Sequence, residues 1–152
     1  MPEKFDLTYI NEKNEKGRPV VIHSAIFGSL DRFLGILIEH FAGAFPLWLA
    51  PVQVQIIPVS TVHLDHCLEV QQQLRSIGIR ATIDERDEKL GYKMREAQMQ
   101  KIPYIAVIGD KEMEEKTLNI RQHGEKTSKQ LSIEDFKHMA AKQIKDRSAG
   151  QI

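Results

Sequence analysis

The 152-residue chain has a single cysteine, Cys67, one tryptophan, and no excess of either charge, with 21 Lys plus Arg against 21 Asp plus Glu. One thiol excludes an internal disulfide framework and suits a reducing compartment, so a cytoplasmic location is expected. The charge balance excludes a bulk field that would draw in polyanions or membranes, so any polyanion site must be a local patch. Asp31, Arg32, Glu39, His40, Pro46 and Pro51 break the longest apolar stretches. No run therefore approaches the roughly 20 residues that cross a bilayer. The first ten residues, MPEKFDLTYI, lack the basic start and apolar stretch of a signal peptide. Neither a GxxxxGK loop nor a GxGxxG turn is present, which leaves a small nucleotide-binding or regulatory protein without its usual signature.

What is there begins with a 41% apolar fraction, enough for a buried core. Phe5 to Ile10 has strand composition, Asn11 to Gly17 reads as a turn, and Pro19 to His23 is a second β-branched run, together predicting a hairpin with a long loop. Ser29 is placed to cap a helix in which Leu30, Phe33, Leu34, Leu37, Ile38 and Phe41 recur at helical spacing, with Gly43 as the stop. Ile36 widens the stripe beyond half the circumference, which predicts burial on more than one side. Phe45 to Pro51 is a proline-stiffened connection.

From Val52 the pattern becomes alternating strands and helices. Strands are predicted at Val52 to Val59, Ile79 to Ile83 and Tyr104 to Ile108, with helices at Val62 to Ser76 and Lys89 to Gln100 between them. Two more strands, Lys116 to Arg121 and Lys126 to Leu131, flank a His123-Gly124 turn, and Ile133 to Lys145 closes the chain as a helix. The order predicts an α/β fold with a mixed, mostly parallel five-stranded sheet flanked by helices.

Several polar residues stand where chemistry is feasible, and each has a plainer reading beside it. Arg32, in the first turn of the apolar helix, needs a partner or a ligand, and Asp31 beside it could satisfy it. Gly28 and Ser29 form a small-residue helix start that admits a phosphate or simply caps the helix. A lone histidine such as His23, ending a β-branched run, is ordinarily a hydrogen-bonded core residue, since zinc needs three or four ligands. His63, His66 and Cys67 share one helix face, which reads either as an incomplete zinc site or as a solvated face with a buried thiol. Glu112 and Arg121 fall near strand ends of an open sheet, where ligands generally bind. A carboxylate can accept from a base amino group and an arginine can donate to two acceptors on a base, although the two can equally form a cross-strand salt bridge. Lys93 and Arg95 suit phosphates, or helix pairs with Glu88 and Glu96.

Three segments in one order carry a resemblance: PVVIHSAIFGSLDRFLGILIEHFAG, then WLAPVQVQIIPV, then DERDEKLGYKMREAQMQKIPYIAVIGDKE with NIRQHG. The first is similar to the third sequence motif of class II aminoacyl-tRNA synthetases, and the whole chain resembles the threonyl-tRNA synthetase family among them. The resemblance implies residues 1–48 as the C-terminal part of a class II catalytic domain, 49–147 as an anticodon-binding domain, and 148–152 as a flexible tail. It implies that Arg32, with Gly28 and Ser29, belongs to the ATP site, Arg32 as the catalytic arginine on the phosphates. It makes His23 one of three protein ligands to a zinc that binds the threonine hydroxyl, the other two lying outside this chain.

Glu112 and Arg121 would then read anticodon bases, Arg86 and Asp87 would lie in a loop that meets the anticodon, and Lys93 and Arg95 would be candidates for tRNA phosphates. Ser24 and Asp87 depart from the family pattern, where arginine and asparagine respectively are familiar. The implied function is threonine-tRNA ligase, with zinc and ATP with magnesium used by the longer enzyme. The first two class II motifs are absent from this sequence, so the chain is expected to be inactive alone and to hold neither zinc nor ATP. Expected partners are the tRNA(Thr) anticodon stem-loop, with threonine and ATP only in the longer enzyme, and no membrane. The longer enzyme is expected to be a homodimer and this chain a monomer. The alternative is a free-standing, non-catalytic tRNA-binding adaptor.

Overall fold

The computed structural model describes residues 1–148; of the predicted 148–152 tail, 149–152 lie outside the described residues. The chain forms two compact units, Met1–Gly35 and Ile36–Ile152, so that residues 36–48 fall in the second.

In the first unit, strands β1 (Tyr9–Ile10) and β2 (Lys16–Gly17) pair antiparallel, with Tyr9 opposite Gly17. The predicted second strand at Pro19 to His23 does not form; that run is irregular and Val20 and Ile22 are exposed. Pairing occurs earlier because Asn11 closes the turn, its Oδ1 accepting from the Lys13 and Glu15 amides, both at 2.9 Å. Gly17 is fixed by this register: a Cβ there would come within 2.9 Å of the Tyr9 ring.

Helix α1 (Leu30–His40) starts and stops where its signals place it. Ala42 and Gly43 have left-handed φ values of 48° and 75°, and the Gly43 amide donates back to the Ile38 carbonyl at 2.9 Å, a glycine-dependent helix stop. The predicted burial on more than one side is not observed. No residue of α1 is buried, and Leu30, Leu34, Ile36 and Ile38 are exposed, because no described side chain covers them.

The second unit is built on β3 (Val54–Pro58), β4 (Ala81–Ile83), β5 (Tyr104–Ile108), β6 (Thr117–Gln122) and β7 (Lys129–Ser132), in spatial order β4-β3-β5-β6-β7. β3 runs parallel to β4 and β5, while β5–β6 and β6–β7 are antiparallel. This is the expected mixed five-stranded sheet. Helices α2 (Leu64–Ser76, after a short 3-10 turn at Thr61–His63), α3 (Leu90–Met99), α4 (Asp110–Glu115) and α5 (Ile133–Asp146) complete it. α4 is unforeseen: its DKEMEE sequence has one apolar residue and no amphipathic pattern.

Alternation along the strands divides the core in two. Val54, Ile56, Tyr104, Ala106, Ile108, Leu118 and Ile120 point to one face, where they pack with Val70 and Leu74 of α2 and Phe136 and Ala140 of α5. Ile57, Ile105 and Val107 point to the other, against Leu90, Met94 and Ala97 of α3. Two helices thus cover one face and one the other.

The chain reaches β3 through a fastened segment. Gln53 is fully buried, its Nε2 donating to the Leu47 carbonyl at 2.7 Å and its Oε1 accepting from the Arg80 amide at 2.8 Å. The Arg80 guanidinium donates to the carbonyls of Ala50 at 2.8 Å and Trp48 at 3.1 Å.

Candidate nucleic-acid interface

Period-2 geometry places Asn119 and Arg121 of β6 on the face that carries α3 alone. Their neighbours Leu118 and Ile120 are buried on the opposite face. α3 covers only part of this side. The uncovered part includes a depression of about 180 Å³ lined by Leu90, Met94, Val107, Asn119, Arg121, Lys126 and Ser128. It has an apolar wall from α3 and β5 and a polar, cationic wall from β6 and the β6–β7 turn.

Arg121 is oriented by neutral acceptors. Its Nε donates to the Glu125 carbonyl at 3.0 Å, and the Gln98 amide, whose oxygen and nitrogen are assigned so that the oxygen faces the guanidinium, accepts from it at 3.1–3.2 Å. Among the described residues Arg121 makes no ion pair, so its charge is uncompensated. The alternative salt bridge with Glu112 does not form. Glu112 instead turns back on its own helix, Oε2 accepting from the Gly109 amide at 3.0 Å at the start of α4, the carboxylate half of a capping box. A Cβ on Gly109 would sit 3.2 Å from both that oxygen and Val59 Cγ2, so a side chain there would have to displace one of them by a few tenths of an ångström. Arg121 pairs with Ile105 near the start of β5, whereas Glu112 lies past its end at Ile108. At about 3.3 Å per residue the two are separated by roughly 10 Å along the sheet. They therefore occupy separate parts of the surface.

Arg86 and Asp87 lie in the β4–α3 connection. Arg86 is committed: its Nε and Nη2 donate to the Asp84 carboxylate at 2.9 and 2.7 Å, and its Nη1 meets Glu96 at 2.6 Å. These bonds hold the nearly buried Asp84 carboxyl below the usual range. Tyr92, through its hydroxyl, and then Arg86 do the same for Glu96. Asp87 is exposed and lies beside this network, not in it. Lys93 departs from the expected phosphate contact. It is buried at 5% exposure and its Nζ donates to the Asp84 carbonyl at 3.2 Å. The reason is helical spacing: Lys93 shares the inward face with Leu90 and Ala97. Arg95 is exposed.

The depressed Asp84 acidity has a measurable consequence. A carboxylate whose folded pKa is lowered stabilises the fold above its unfolded value, near 3.9, and loses that contribution as pH falls through the folded value. Asp84→Asn is therefore expected to cost about 1–2 kcal/mol at pH 7, the lower part of the charged range because Arg86 is half exposed. Urea midpoints measured at pH 7 and pH 2 should differ less for the variant than for the parent.

The helix-face trio does not assemble a metal site. His63 is buried, with Nδ1 accepting from the Ser60 amide at 3.2 Å and Nε2 meeting Asp110 Oδ1 at 2.9 Å. His66 Nδ1 faces Glu69 at 3.6 Å. Cys67 is fully buried, and desolvation pushes its thiol up to about 11. Its labelling by an aromatic disulfide reagent is expected to be at least about a thousandfold slower in the folded than in the urea-unfolded protein.

In the first unit, His23, Ser29 and Arg32 are all exposed, and Gly28 has φ +64°. Asp31 does not pair with Arg32. Among the described residues no group of three or more His, Cys, Asp or Glu side chains is placed to hold a metal ion, so the residues present do not fit a zinc centre. No described helix is long and apolar enough to cross a membrane.

The open α/β sheet with one half-covered, arginine-bearing face belongs to a known class of domain: residues 53–143 match the anticodon binding domain, and the chain belongs to that family. Among its relatives is threonine–tRNA ligase 2 of Bacillus subtilis, 63% identical over 147 residues that make up 97% of this chain and 23% of that protein. The threonine–tRNA ligase of Geobacillus kaustophilus is 51% identical over 97% of this chain and 23% of its own. The chain thus spans under a quarter of the length of these relatives. The RNA-binding domain of threonyl-tRNA synthetase from Cryptosporidium parvum superposes with a TM-score of 0.73 at 27% identity, over 93% of this chain and 36% of that one. Histidyl-tRNA synthetase from Nostoc shares the fold at a TM-score of 0.56 and 24% identity, over 75% of this chain and 27% of that one.

Reasoning from sequence alone missed Gln98, Asp84 and Asp110, the residues that hold Arg121, Arg86 and the α4 turn. Gln98 and Asp84 carried no motif. The inward position of Lys93 was open to the 3.6-residue period.

Proposed function

We propose that this chain is the anticodon-reading portion of a threonine–tRNA ligase that activates threonine with ATP and transfers it to tRNA(Thr) in the cytoplasm. The observation that carries the reading is Arg121: a guanidinium held in place by neutral acceptors, without a carboxylate, in a depression flanked by Lys126, Asn119 and Ser128. A fork fixed in this way can donate two bonds to a base edge without first breaking an ion pair. Glu112, displaced along β5, has one carboxylate oxygen committed to Gly109 and the other left to accept from a base amino group. Arg95 and Lys126 supply backbone contacts, and Arg86 with Asp87 borders the loop side of the surface. Residues 49–147 act as this domain and 1–48 as the end of a catalytic domain in which Gly28, Ser29 and Arg32 face ATP phosphate.

The test is titration of the chain with a short RNA hairpin carrying the threonine anticodon loop and with a hairpin changed at the second anticodon position. Tighter binding of the first by at least about fivefold, the effect of one lost base contact of about 1 kcal/mol, is expected. Equal affinity would sink the assignment.

A further inference from the structure

We propose that His63 is a positioning residue for the base-reading carboxylate of Glu112, acting through Asp110; this rests on the anticodon reading above. His63 is 3% exposed and lies in the turn that follows β3, while Asp110 opens α4 after β5, 47 residues later in the chain. The ring joins these two turns at adjacent strand ends. Nδ1 accepts from the Ser60 amide, which puts the ring proton on Nε2, and Nε2–H donates to Asp110 Oδ1 at 2.9 Å. The β3 turn is itself tied to the sheet, since the Val59 amide donates to the Ile108 carbonyl at 2.9 Å.

α4 has six residues and presents no buried side chain, so apolar packing contributes little to where it points. Its first turn is held by two polar contacts instead. Glu112 Oε2 receives the Gly109 amide from within the helix, and His63 anchors Asp110 to the neighbouring strand end from outside it. The Asp110 side chain is otherwise open to solvent, at 92% exposure, and is held by its bond to His63. Releasing that tie leaves the first turn, with the Glu112 carboxylate on it, held by the Gly109 bond alone, while the far end of the helix stays tied to β7 through Glu115 and Gln130. Recognition of a base amino group depends on sub-ångström placement of the accepting oxygen, so discrimination between bases falls before phosphate-driven affinity does.

Two conservative replacements separate this role from a merely local one. Asparagine at 63 puts an oxygen where Nδ1 stands, keeping the Ser60 bond, but cannot reach Asp110. Glutamine extends to the position of Nε2 and can still donate to Asp110. The full chain carrying His63→Asn or Asp110→Ala is expected to lose about three- to tenfold of its preference for the threonine hairpin over the hairpin altered at the second position. His63→Gln is expected to stay within twofold of the parent. In a Glu112→Gln background, His63→Asn is expected to produce no further change, because the carboxylate it positions is gone. A parent that discriminates while His63→Asn discriminates equally well overturns this inference alone, as does an additive effect in the Glu112→Gln background. A parent that binds both hairpins equally overturns the anticodon reading and this inference together. As a readout independent of RNA, exchange of the Gly109 amide should accelerate in His63→Asn relative to that of Ala106 in the strand; unchanged protection also overturns the proposal.

Discussion

Arg121→Ala is expected to weaken binding of the threonine anticodon hairpin by about 1–3 kcal/mol, roughly 5- to 150-fold, and to reduce preference over the hairpin with the altered base it reads. The size follows from what the side chain already has. Its Nε is engaged by the Glu125 carbonyl and its outer nitrogens lean on the Gln98 oxygen, so the fork is oriented before RNA arrives and little entropy is lost on contact. Arg121→Lys keeps the charge but loses the planar pair of donors. It should therefore retain most of the phosphate-driven, salt-dependent affinity and lose the base preference. Anisotropy titrations of both hairpins at two salt concentrations distinguish the two effects. Arg86→Ala offers a contrast: Arg86 is held by Asp84 and Glu96, and its removal is expected to appear first as lost stability.

Phe136→Ala is expected to cost about 3–5 kcal/mol of unfolding free energy, a large share of what a domain of this size has. Phe136 is fully buried on α5 and meets the Tyr104 ring edge-on, with centroids 5.6 Å apart and planes at 89°. Strands β5 and β6 hold the opposite wall of that site and cannot collapse into the space left behind. Tyr104 is itself anchored, its hydroxyl donating to Gln143 Oε1 at 3.0 Å, so the cavity persists. A urea titration followed by circular dichroism measures the loss. Hairpin binding by the fraction that remains folded should be unchanged, because Phe136 lies on the face away from α3.

How far these features were legible in the chain varies with what holds each element. Tyr104–Ile108 was read to the residue because five apolar positions sit between Pro103 and Gly109. α2, α3 and α5 were found within a few residues of their ends by apolar spacing. β7 was predicted three residues early, since Lys126, Thr127 and Ser128 belong to the turn. α4 escaped because the Glu112–Gly109 bond and a histidine from another turn hold it, and neither leaves an apolar period. In the first unit the β-branched run Pro19 to His23 suggested a strand, but propensity without a neighbouring strand forms no ladder. Glu112 and Arg121 were placed at strand ends by the pattern and the resemblance. That one is turned inward on its own helix and the other stands without a carboxylate depends on contacts with Gly109, Gln98 and Glu125, which sequence spacing does not encode.

The fastening of Leu47, Trp48 and Ala50 to Gln53 and Arg80 has a mechanical consequence. Three carbonyls ahead of β3 are gripped by side chains from the starts of β3 and β4, so the segment from Leu47 to Ala50 is fixed to the sheet itself. Gln53 thus acts as a clasp, and loosening it would free that segment without altering a residue of the α3-bearing face.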